Sequence, residues 1–116
     1  MEALLLSHNS DESAALRLAL QRAGFFVRIS MDFEKIVTDW RENTADLIVL
    51  TFPKQELPLS TIKQLRAFTP VPFIVVTEYK TEDIYVALLD AGIDLVLFRP
   101  YSTRVLIAQV RALMRR

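Results

Sequence analysis

Leu47-Ile48-Val49-Leu50-Thr51-Phe52 is a short apolar run of the kind that a strand covered on both faces needs. Runs of the same type recur at Ala3 to Leu6, Phe25 to Ile29, Phe73 to Thr77 and Leu95 to Phe98. Between them the apolar spacing changes to that of a helix. Leu16, Ala19, Leu20 and Ala23 mark one helical face, with Ser10 as its expected N-cap and Gly24 as its stop. Phe33, Ile36, Val37 and Trp40 mark a second, and Leu59, Ile62 and Leu65 a third that ends before Pro70. Ile84 to Ala91 stops at Gly92, and Ser102 to Arg115 carries Leu106, Val110 and Leu113.

Five strands alternating with five helices predict a parallel sheet with helices on both faces. Right-handed crossovers leave the two doubly wound orders. Five strands in 116 residues favour the flavodoxin-like one, 2-1-3-4-5. One domain spanning 1–116 is expected, and a 52% hydrophobic content supplies its core. Lysine plus arginine equals aspartate plus glutamate at 14 each, which argues against non-specific attraction to nucleic acid or membranes. There is no cysteine, hence no disulfide or thiolate metal site. The N-terminal residues lack both the basic region and the apolar length of a signal peptide, so a cytoplasmic location is expected.

Ligands of such sheets sit at the carboxyl ends of the strands. Those ends carry Ser7 to Ser10, Thr51 to Pro53, Thr77 to Glu78 and Arg99 to Tyr101. No glycine-rich phosphate loop is present, because the only glycines, Gly24 and Gly92, read as helix stops. His8 is the single histidine and has no partner for metal binding. Ser7, Thr51 and Thr77 place hydroxyls at three strand ends without a histidine–carboxylate relay, so neither an enzyme nor a cofactor binder is expected.

Several stretches together resemble the receiver domains of bacterial response regulators. Ala91-Gly92-Ile93-Asp94 followed by Phe98-Arg99-Pro100-Tyr101-Ser102 is similar to the family's fifth-strand signature. Thr69-Pro70-Val71-Pro72-Phe73-Ile74-Val75-Val76-Thr77 resembles its fourth strand, Ala45-Asp46-Leu47-Ile48-Val49-Leu50 its third, and Gln21-Arg22-Ala23-Gly24-Phe25 the end of its first helix. Val110-Arg111-Ala112-Leu113-Met114-Arg115-Arg116 resembles the last helix of the OmpR/PhoB class. The likeness covers the whole chain, with a deletion between Thr51 and Ile62.

The resemblance implies a phosphoacceptor pocket, and one that is degenerate in this chain. Family members hold Mg²⁺ with an acidic pair after the first strand and an aspartate after the third, and that aspartate accepts a phosphoryl group. Here these positions carry Ser7, His8 and Thr51, while Thr77 keeps the hydroxyl after strand four and Arg99 replaces the lysine after strand five. Magnesium wants convergent oxygens, which the substitutions remove. Asp11, Glu56 and Glu78 lie near the same end, but Asp11 suits the start of the first helix. No metal or other cofactor is therefore expected, and Arg99 is expected to seek backbone carbonyls or the hydroxyls of Thr51 or Ser7.

The class pairs through the fourth helix, fifth strand and fifth helix, using charged pairs. The corresponding positions here are Tyr85 with Val105 and Leu95 with Gln109, so both pairs lack charge, and Leu88 and Phe98 are candidates for the same face. A homodimer held by apolar burial is one implication; Leu95 and Val105 belonging to the internal core is the other. The resemblance suggests a module that dimerises without phosphorylation and regulates a DNA-binding effector domain following Arg116, this stretch binding no DNA itself. A stand-alone or differently fused adaptor that docks on a partner protein is the alternative.

Overall fold

The computed structural model describes residues 1–7, 9–52, 59–78 and 80–115. The strands are β1 (Glu2–Leu6), β2 (Phe26–Ser30), β3 (Leu47–Thr51), β4 (Phe73–Thr77) and β5 (Leu95–Phe98). The helices are α1 (Ser10–Arg22), α2 (Phe33–Asp39), α3 (Leu59–Arg66), α4 (Glu82–Asp90) and α5 (Thr103–Met114). All strand pairs are parallel, in the order 2-1-3-4-5. The flavodoxin-like arrangement expected from the alternation is the one found.

The sheet divides the core into two layers. Side chains alternate along each strand, so neighbours in sequence enter opposite layers. Leu4, Leu6, Ile48, Leu50, Phe73 and Val75 pack with Ile36, Trp40, Ile62, Leu65 and Leu88 of the α2, α3 and α4 side. Ala3, Leu5, Val49, Ile74, Val76 and Leu97 pack with Leu16, Leu20, Leu106, Val110 and Leu113 of α1 and α5. β3 and β4 are buried throughout, which accounts for their unbroken apolar sequence.

Local chemistry sets the boundaries. The cap of α1 is Asn9, whose Oδ1 accepts from the Glu12 N–H at 3.0 Å, and not Ser10, which is the first helical residue. An asparagine in extended backbone geometry one residue earlier leaves Ser10 free to be helical. Thr81 and Ser102 cap α4 and α5 in the same manner. Gly24 and Gly92 both have positive φ, at 101° and 111°, and end α1 and α4 as anticipated.

A polar knot at the opposite end of the sheet from the candidate site went unread in the sequence. The Arg66 guanidinium donates to the carbonyls of Thr69, Val71 and Gly92 and to Asp94 Oδ2, and lies 3.8 Å above the Phe73 ring. Asp94 in turn accepts from the Phe73 N–H at 2.7 Å. One arginine thus ties the α3–β4 connection to the turn after α4. Among the described residues no helix is long and apolar enough to cross a membrane.

Candidate functional site at the strand ends

The parallel register brings the ends of β1, β3, β4 and β5 to one edge, and with them Ser7, Thr51, Thr77 and Arg99. His8, Pro53 and Glu56 lie outside the described residues. Ser7 is buried, and its hydroxyl donates to the Asn9 carbonyl at 3.2 Å and accepts from the Asn9 N–H at 3.3 Å. Its backbone N–H donates to the Ser30 carbonyl. Ser7 therefore shapes the turn into α1. Thr51 is 2% exposed, and its Oγ1 donates to the Leu6 carbonyl at 3.2 Å, bridging β3 to β1. Thr77 is buried, and its carbonyl accepts from the Arg99 N–H at 2.9 Å.

Arg99 does not meet the hydroxyls of Ser7 or Thr51. Its side chain makes a forked ion pair with Glu12, Nε to Oε2 at 2.6 Å and Nη2 to Oε1 at 2.7 Å. That corrects the expectation that Arg99 would seek backbone carbonyls or those hydroxyls. Both partners are largely shielded from solvent, and two parallel charge-assisted bonds outweigh single bonds to neutral acceptors. The hydrogen bond to Glu12 raises the Arg99 pKa above its ordinary value, burial opposes it, and the charges of Glu12 and Glu78 add to the rise. Beside the pair, burial pushes the Tyr101 phenol up, with the Glu12 charge adding and Arg99 opposing. Glu12, Glu78, Lys80, Arg99, Pro100 and Tyr101 line one shallow dish, and the Arg99–Pro100 peptide is cis. Among the described residues, no group of three or more histidine, cysteine, aspartate or glutamate side chains is placed to hold a metal ion.

Glu12 is the residue that sequence reasoning missed. An acid in the first turn of a helix already has a local explanation in the helix dipole. Nothing in the spacing points to a partner 87 residues away.

The second candidate region is the face of α4, β5 and α5. Tyr85 is 39% exposed and stacks on Phe98 at 5.8 Å between ring centroids. Val105 is 51% exposed, and Gln109 is half-buried. Leu88 is fully buried in the layer beneath α4, so it offers no surface, contrary to the sequence reading. Leu95 and Phe98 are half-buried and lean on opposite core layers, Leu95 toward α1 and α5 and Phe98 toward α4. Val86 and Leu89, 47% and 40% exposed, join Tyr85 as apolar side chains on the outside of α4 and were not anticipated. The positions 85, 86 and 89 form a second helical stripe, which is the signal that reveals them.

No protein-family model matches the chain. Among curated proteins it is 35% identical over 115 residues to the transcriptional regulatory protein PrrA of Mycobacterium tuberculosis, covering 97% of the chain and 49% of that protein. It is 31% identical over 115 residues to the transcriptional regulatory protein CpxR of Escherichia coli, with the same coverage. The chain spans about half the length of these relatives. A solved two-component response regulator from Clostridium difficile superposes with a TM-score of 0.88 at 23% identity, covering 100% of this chain and 97% of the other, a likeness of fold.

Proposed function

This chain is a response-regulator receiver domain of two-component signalling, homologous to transcriptional regulators, and from that premise we propose that it works without accepting a phosphoryl group. The observation that carries the reading is the state of its strand ends. Thr51 stands at the acceptor position, buried and bonded to the Leu6 carbonyl, and Arg99 is committed to Glu12. A threonine hydroxyl lacks the negative charge of a carboxylate, and the Thr51 hydroxyl donates to the Leu6 carbonyl, which is not a base. Aspartyl-phosphate chemistry also needs a hard cation among convergent oxygens. Ser7 spends its hydroxyl on a turn instead.

In this reading the domain regulates through a surface that is always available. The exposed Tyr85, Val86, Leu89 and Val105 support a homodimer across the face of α4, β5 and α5. A DNA-binding effector elsewhere in the full-length protein would be brought together in pairs by that contact.

The test is direct. Acetyl phosphate or beryllofluoride, each with Mg²⁺, leaves the amide spectrum around Thr51 and Arg99 unchanged. Saturable shifts at those residues with either reagent overturn the proposal.

A further inference from the structure

We infer that Glu12 is a tethered anion, a built-in carboxylate that occupies Arg99 and closes an oxyanion site at the end of the sheet. The inference rests on the reading of the chain as a receiver domain that is not phosphorylated at Thr51, and it says what takes the place of the phosphoryl oxygens.

The geometry supports it in three steps. First, the pair has the fork geometry with which a guanidinium binds a phosphate or carboxylate, both bonds at 2.6–2.7 Å. Second, the carboxylate comes from α1 and the guanidinium from the residue after β5. The pair therefore fastens the first turn of α1 to the loop that opens α5. Third, the dish around it holds a second cation, Lys80, and a second carboxylate, Glu78, so its charges balance only while the carboxylates remain. A carboxylate held by a helix loses little translational freedom on pairing, whereas a free anion loses all of its own. Free phosphate at millimolar concentration then cannot displace Glu12. With both carboxylates gone, Arg99 and Lys80 become a site for a phosphate-like oxyanion.

The experiment uses the 116-residue chain and inorganic phosphate with no metal. Amide and arginine Nε–H resonances are followed for the wild type, E78Q and E12A/E78Q. In the wild type and in E78Q, the Arg99 Nε–H exchanges slowly and phosphate up to about 50 mM produces no saturable shift. In E12A/E78Q that proton exchanges at least about tenfold faster, and phosphate gives saturable shifts at Arg99 and Lys80 with Kd of about 1–10 mM. If E12A/E78Q does not fold, E12Q/E78Q, with the side-chain shape kept, is read in its place. Phosphate binding by E78Q alone overturns the inference, because Glu12 would then not be closing the site. So does a folded double variant that ignores phosphate. Both outcomes are independent of the beryllofluoride test on the wild type, which probes Thr51.

Discussion

At the scale of single residues, Thr51 and Gly92 show how position decides what a substitution does. Thr51 occupies the acceptor position, so Thr51→Asp looks like a repair. The side chain at that place is buried and faces the Leu6 carbonyl, to which a carboxylate oxygen cannot donate. Arg99, the cation at the end of β5, is already held by Glu12 and is not free to neutralise the new charge. The variant is expected to lose about 3 kcal/mol of stability and to take no label from acetyl phosphate. Urea melts and intact-mass spectrometry check both halves, and stoichiometric labelling of the single variant refutes the account. The two glycines make a parallel comparison. Both have positive φ, but a methyl group on Gly24 meets open space, whereas one on Gly92 runs into the Arg66 side chain. Gly24→Ala is expected to cost about 1 kcal/mol from backbone strain alone, and Gly92→Ala about 2–3 kcal/mol because the arginine must also shift. Equal melting midpoints for the two variants would contradict the Arg66 contact.

At the scale of elements, the start of α1 has two residues able to cap it and uses one. Ser10 and Asn9 are both good capping residues, and only the backbone shows that Asn9 supplies the oxygen. Asn9→Ala is expected to cost about 1 kcal/mol, and Ser10→Ala no more than about 0.5 kcal/mol. Thermal denaturation of the pair measures this, and a larger loss for Ser10→Ala would return the cap to that residue. The same helix illustrates what sequence makes legible. Short apolar runs located the strands and helical spacing located the helices, because burial on both faces leaves an unbroken apolar run and burial on one helical face repeats with a fixed period. This pattern placed Ser7, Thr51, Thr77 and Arg99 at one edge, because parallel strands end together. It could not pair Glu12 with Arg99 or Arg66 with Asp94, because a charged side chain has no period and its partner is chosen by the fold. Leu88 and Val105 carry the same lesson. Both are aliphatic residues on helices, and only the packing of the whole domain puts one inside and the other outside.

At the scale of the whole molecule, the issue is what the apolar outside of α4 and α5 does. Tyr85, Val86, Leu89 and Val105 would each contribute apolar area to a two-fold contact, at about 25 cal/mol per Å² removed from water. Part of that gain offsets the cost of association, so a weak dimer is the reasonable expectation. Three substitutions separate the surface from the core. Val105→Glu puts a charge on a side chain already half in solvent, so the monomer folds normally and the dimer disperses. Leu88→Asp buries a charge with no partner, which is expected to unfold the domain at a cost of several kcal/mol. Leu95→Asp falls between them, because that side chain leans on the α1 and α5 layer while keeping some exposure, and it should weaken folding and association together. Sedimentation reads association and circular dichroism reads the fold. A wild-type chain that stays monomeric at about 100 μM, where a dimer with Kd near 10 μM is well populated, would mean that the apolar face of α4 and α5 serves something other than a second copy.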